Sequence, residues 1–208
     1  MNKTLLGVAA AAMLAGTAGA HVFEGPYVGA QAGYVHNSTD MKIKAGSGLA
    51  ADTKRKHHAS SATLTAIAGY SGLWDQSHVY GVELRGGYDT FSKKKAGDKL
   101  TMDWTVGGRV RYGYILGGDW LPFVSLGTDY SHGKYKFTRG TESPTDNFSV
   151  WEVVPGIGVE WSLSEHVNFR ADYEFAFAVN DTGLNDSKVE LYHGPHRHHV
   201  RVGVVWNF

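Results

Sequence analysis

Leu100-Thr101-Met102-Asp103-Trp104-Thr105-Val106-Gly107-Gly108-Arg109-Val110-Arg111-Tyr112-Gly113-Tyr114 carries its charges at Asp103, Arg109 and Arg111, all odd-numbered, while the even positions hold Met102, Trp104, Val106, Val110 and Tyr112. An extended chain turns successive side chains to opposite faces, so this spacing describes a strand with one charged wall and one apolar wall. The pattern recurs in Tyr80–Phe91, where Glu83, Arg85 and Asp89 alternate with Tyr80, Val82, Leu84 and Tyr88. It appears again in Val150–Leu163, with Glu152 and Glu160 against Trp151, Val153, Ile157, Val159 and Trp161. In Val167–Val179, Arg170, Asp172 and Glu174 oppose Phe169, Tyr173, Phe175, Phe177 and Val179. An uninterrupted apolar face of this length suits lipid, and the charged face suits an enclosed interior.

Eight strands are expected, near 27–36, 61–71, 79–91, 100–114, 121–137, 149–163, 167–179 and 198–208. The connections between them alternate, long and short, at about 24, 7, 8, 6, 11, 3 and 18 residues, as in barrels with short periplasmic turns and longer outer loops. The fold class read from this is all-β: an eight-stranded antiparallel up-and-down transmembrane β-barrel. In the weakly patterned first two strands, Gln31, Thr63 and Thr65 are assigned inward. Val28, Ala30, Ala32, Tyr34, Leu64, Ala66 and Tyr70 are assigned outward.

The ends and the composition fit export. Residues 1–20 read as a secretory signal peptide, with Lys3, an apolar run from Leu5 to Ala15 and the small-residue site Ala18-Gly19-Ala20. Residues 21–208 then form one barrel domain. Cysteine is absent, which removes disulfide and thiolate chemistry. Abundant glycine and aromatics with scarce proline suit long strands and tight turns.

The charges divide without any needing to face lipid, where an unpaired charge costs several kcal/mol. Five arginines are interior (Arg85, Arg109, Arg111, Arg170, Arg201), facing Glu83, Asp89, Asp103, Asp129, Glu152, Glu160, Asp172 and Glu174. That excess of three acids implies at least one carboxylate that is protonated, bridged by water or near an end. Every lysine after Lys3 falls in the expected outer segments 37–60, 92–99, 131–148 and 180–197. Aromatic side chains are expected as belts at the two water boundaries.

The final strand, Val200-Arg201-Val202-Gly203-Val204-Val205-Trp206-Asn207-Phe208, alternates apolar residues and ends on an aromatic. With Tyr27-Val28-Gly29-Ala30-Gln31-Ala32-Gly33-Tyr34 it resembles the small outer-membrane β-barrel superfamily of the OmpA transmembrane domain, OmpX and opacity-type surface antigens. The resemblance implies a bacterial outer-membrane location and recognition of Val204, Trp206 and Phe208 by the barrel assembly machinery.

An eight-stranded barrel is just wide enough for its own side chains to fill, so a plugged lumen is expected rather than a wide pore. A narrow porin-like channel remains the alternative. A soluble ligand-carrying barrel of the lipocalin type would need the reverse charge partition. Ser38 beside His36 and Ser131 beside His132 carry the side chains of a hydrolase, but no third orienting group or oxyanion donor accompanies them, and the reading is non-enzymatic.

The outer segments offer two binding chemistries. His193, His196, His198 and His199 concentrate metal- or haem-ligating side chains in seven residues, with His196 and His198 spaced to share a face. No resident cofactor is otherwise indicated. The outer segments hold fourteen cations against eight anions, concentrated at Lys54-Arg55-Lys56 and Lys93-Lys94-Lys95. Such runs attract polyanions. The partners expected are the bilayer with its lipopolysaccharide, host surface glycans and the assembly machinery, not nucleic acid. The role expected is envelope structure and surface interaction or adhesion.

Overall fold

In the computed structural model the structure describes residues 22–43, 53–89, 92–95, 98–136, 145–179, 189–190 and 196–208. The expected signal peptide and His193 lie outside them. Alternating sequence becomes antiparallel sheet throughout: β1 (Gly25–Ile43), β2 (Thr53–Trp74), β3 (His78–Asp89), β4 (Ser92–Lys95), β5 (Asp98–Tyr114), β6 (Trp120–Lys136), β7 (Thr145–Ser162), β8 (Val167–Ala178), β9 (Val189–Glu190) and β10 (His196–Asn207). Eight long strands pair in the order β10-β8-β7-β6-β5-β3-β2-β1, and β1 pairs back onto β10 from Tyr27↔Asn207 to Ser38↔His196. Closure removes both sheet edges, so the backbone groups of the wall are paired and need no water.

Tight turns join the strands at the end where β1 begins and β10 ends. Asp75, at φ 49°, takes its side chain back to accept from the Ser77 amide at 3.2 Å. Gly117 and Gly118 supply the positive φ of the second turn, at 62° and 87°. At the opposite end the strands run further than the sequence pattern indicated. The β1–β2 ladder continues to Ile43↔Thr53, and the β6–β7 ladder to Lys136↔Thr145. Much of the expected first loop, 37–60, therefore continues β1 and β2 as a ribbon, and β9 adds to its far end at Lys42↔Glu190 and Ile43↔Val189. Lys54, Arg55 and Lys56 lie on β2, and Lys93, Lys94 and Lys95 form most of β4, which pairs with β5. These residues were expected in loops; hydrogen-bonded pairing extends past the apolar belt and takes them into strands.

The outer wall is apolar, with Leu84 69 % exposed and Leu64 and Ile157 each 60 %. Gln31, Thr63 and Thr65 are buried on the inner wall, as assigned. Among the described residues the pairing register shifts in one place, between Met102 and Trp104 on β5, passing over Asp103. A bulge of this kind interrupts strict period-2 counting.

An apolar plug occupies the turn end. Phe23 is fully buried against Val79, Ile115 and Leu121, with Val22 and Leu73 packed alongside. The side-chain amides of Asn168 and Asn207 donate to the Val22 carbonyl at 3.1 and 2.9 Å, so the segment before β1 is pinned across the mouth.

Candidate functional site: the charged lumen and the rim

Inward-facing positions of the eight strands converge on the axis, and twelve charged side chains are buried there: Arg85, Arg109, Arg111, Arg170, Arg197 and Arg201 with Glu83, Asp129, Glu152, Glu160, Asp172 and Glu174. The described interior is thus balanced, without the expected excess of acids. Two changes produce this. Arg197, assigned to an outer loop by sequence, is buried and paired with Glu152, its Nε donating at 2.8 Å. Asp89 and Asp103, expected inward, have side chains outside the described residues; Asp89 is placed only by its register with Thr63.

Nearest the plug, Glu160 accepts from Arg170 Nε at 2.6 Å and from Arg111, whose Nη2 donates to Ser71 at 2.7 Å. The Arg111 guanidinium lies 4.8 Å from the centre of the Tyr27 ring, a distance at which the ring face attracts a cation. One layer on, Glu83 accepts from Arg170 Nη1 at 2.6 Å and from the Tyr27 hydroxyl at 2.9 Å, and it is ion-paired with Arg109 Nε at 2.6 Å. Glu174 then collects Arg85 at 2.5 Å together with Arg109 and Arg201. Asp172 accepts from Gln31 at 2.8 Å, and Asp129 takes a two-pronged contact from Arg85 at 2.8 and 2.7 Å. Arg85, Arg109 and Arg170 each serve more than one carboxylate, which the fixed fork of arginine suits better than a lysine ammonium.

Strands β3 and β8 lie four steps apart around the ring in either direction. Arg85 on β3 nevertheless meets Glu174 on β8, and Arg170 on β8 meets Glu83 on β3. Two reciprocal pairs therefore cross the full diameter. The inner wall makes room for them with glycine: a Cβ at Gly107 would collide with the Asp129 carboxylate. Above these pairs a cavity of about 10 Å³, room for one water, is lined by residues that include Thr63, Thr65, Asp129, His199 and Arg201.

The candidate rim residues separate by face. His199 is buried and accepts at Nδ1 from Arg201 Nη2 at 2.9 Å. The pleat turns it away from His196 and His198, which lie on one face against Phe175 as their spacing indicated. Ser131 is likewise buried, accepting from Arg197 at 2.8 Å, while His132 lies on the outer wall stacked on Trp104 at 5.7 Å. That sequence-adjacent Ser–His pair is split by the wall. His36 contacts Ser60 at 3.1 Å on the outer face. Among the described residues, no group of three or more His, Cys, Asp or Glu side chains is placed to hold a metal ion.

Outward aromatics form two bands. Trp120 and Trp161 stack at 5.3 Å and 4° near the turn end; Trp104, Tyr130 and Trp151 neighbour one another at 5.8 and 5.1 Å near the other. A closed antiparallel barrel with an apolar exterior, aromatic bands and an ionic interior has the architecture of a membrane-spanning barrel. The profile of the family described as outer membrane protein beta-barrel domain matches residues 5–208. The chain belongs to that family.

Outer-membrane barrels of this family place short turns in the periplasm, so the Phe23 plug is periplasmic and the ribbons point outward. Among solved structures the barrel is similar to Neisserial surface protein A, with 16 % identity and a TM-score of 0.53 over 88 % of this chain and 97 % of that one. It is also similar to the outer membrane protease OmpT from Escherichia coli, at 7 % identity and a TM-score of 0.50, covering 88 % and 96 %. A third likeness is to Ail, the attachment invasion locus protein of Yersinia pestis, at 14 % identity and a TM-score of 0.47, covering 88 % and 98 %. At these identities the likeness is one of fold. Comparison with curated proteins finds no match.

Proposed function

We propose that this outer-membrane barrel is a non-enzymatic, non-conducting surface protein whose outward ribbons bind polyanions, the phosphates of lipopolysaccharide and sulfated host glycans. The observation that carries the closed lumen is the pair of diametric ion pairs, Arg85–Glu174 and Arg170–Glu83. An ion moving along the axis would have to separate buried, paired charges, and leaving a buried charge without its partner costs about 3–5 kcal/mol. The binding surface is supported by register. The β1–β2 ladder extends five residue pairs beyond the last β1–β10 partner, Ser38↔His196, and Lys54, Arg55 and Lys56 sit on that extension. Clustered cations on a projecting ribbon attract polyanions over roughly a Debye length, about 8 Å at physiological salt.

The test has two arms. Purified barrel in a planar bilayer gives no unitary conductance steps; steps would replace this reading with a narrow channel. Binding to heparin and to lipopolysaccharide weakens as salt rises, and it drops when Lys54, Arg55 and Lys56 are changed to glutamate. Binding indifferent to both ends the polyanion reading.

A further inference from the structure

Three sites lie outside that reading: the water-sized cavity, the periplasmic plug and the histidines of the outer wall. The cavity holds at most a solvent molecule, and the plug is accounted for by packing. The histidines carry an argument of their own.

His36 on β1 and His198 on β10 are direct partners across the seam that closes the barrel. Both face outward, since their neighbours Val35 and His199 are buried. Directly opposed residues on antiparallel strands have Cβ atoms about 4.5–5.5 Å apart, so two imidazoles there can reach one ion. Each ring is held through Nδ1: His36 against the Ser60 hydroxyl at 3.1 Å and His198 against the Tyr173 hydroxyl at 2.7 Å. In the tautomer where Nδ1–H donates to the hydroxyl, the Nε2 lone pair is the one that ligates metal, and a hydrogen bond at the second ring nitrogen is what orients histidine ligands. His198 is further oriented by Phe175, 5.0 Å away. His196, two residues along β10 on the same face, stacks on Phe175 at 5.6 Å and 18°.

We infer that His36 and His198 form a two-imidazole clamp for a divalent transition-metal ion, Cu2+ or Zn2+, across the β1–β10 closing seam, with His196 as its neighbour and water filling the remaining positions. Imidazole suits both ions, and the general order of affinity places Cu2+ above Zn2+. The inference does not rest on polyanion binding. Because the two ligands come from the first and last strands, the folded barrel offers the paired site and the unfolded chain does not. An ion at a hundred times its Kd then favours the folded state by a further factor of about a hundred.

The experiment uses untagged refolded barrel in detergent, titrated with Cu2+ and with Zn2+ by calorimetry. Electron paramagnetic resonance of the Cu2+ form and heat-induced unfolding, read by gel mobility, accompany it. Expected are one equivalent bound, nitrogen hyperfine structure from two imidazoles, and a metal-dependent rise in the unfolding temperature. His36→Ala and His198→Ala each lower affinity at least tenfold and remove that rise, while His166→Ala at the periplasmic end changes neither. His36→Gln and His198→Gln serve where an alanine variant does not refold. Undiminished binding in the His36/His198 double variant overturns the inference, as does the absence of any stoichiometric binding.

Discussion

Arg85 and Glu174 meet at 2.5 Å from strands on opposite sides of the barrel, and the same carboxylate also receives Arg109 and Arg201. Glu174 is therefore where β3, β5, β8 and β10 are joined inside. Glu174→Gln leaves three buried guanidinium groups short of one negative charge and is expected to destabilise the barrel by about 3–5 kcal/mol. Urea unfolding in detergent, followed by tryptophan fluorescence, measures the loss. Arg109→Ala is expected to fall in the same range, because it strips partners from both Glu83 and Glu174.

Gly107 and Gly86 form a matched pair for testing how tightly the interior is filled. A methyl group at Gly107 meets Asp129, and Gly107→Ala is expected to cost about 1–3 kcal/mol as overpacking. Gly86 faces outward with nothing within 4 Å of an added Cβ, and Gly86→Ala is expected to be neutral or slightly stabilising. Equal effects on the urea midpoint would contradict a packed lumen.

The periplasmic plug has its own signature. Phe23→Ala empties a fully buried aromatic site, with an expected cost of about 3–5 kcal/mol. Asn168→Ala and Asn207→Ala each remove one donor to the Val22 carbonyl. Each is expected to cost about 1 kcal/mol and to expose the N-terminal segment locally. Limited proteolysis reads this directly: cleavage near residues 22–25 rises in all three variants while the wall stays resistant.

At the outer end, Arg197 donates to Glu152 and Ser131. Arg197→Ala leaves the Glu152 carboxylate buried with the Ser131 hydroxyl, which donates to it at 3.2 Å, and is expected to be destabilising by about 3 kcal/mol. Arg197→Lys, which restores charge without the fork, recovers part of the loss. Thermal unfolding of the two variants side by side gives the difference.

The sequence made the strand faces legible because lipid imposes a strict rule: one wall apolar, every ion on the other. Arg85, Arg109, Arg111, Arg170 and Arg201 all follow it. The failures fall where that rule weakens. Beyond the apolar belt the strands continue in water, where polar residues on both faces give no alternation. The ribbon carrying Lys54 thus read as loop. Arg197 and His199 were within reach, since stepping back by twos from Arg201 puts both inward; only ending the strand at 198 hid Arg197. The register shift between Met102 and Trp104 leaves no mark in composition. The partners themselves, Arg85 with Glu174 rather than a nearer acid, depend on barrel diameter and strand stagger, which period-2 counting does not encode.

Hydrogen bonding of β1 to β10 from Tyr27↔Asn207 onward carries a temporal constraint. The first strand waits for the last, so pairing of the greatest sequence separation comes at the end of assembly, the slow, non-local kind of contact. Until β10 has joined β1, both outer strands of the open sheet present unmated backbone to their surroundings. A chain lacking β10 would stay an adhesive open sheet, and shielding of its edges until β1 and β10 meet becomes a requirement of this topology.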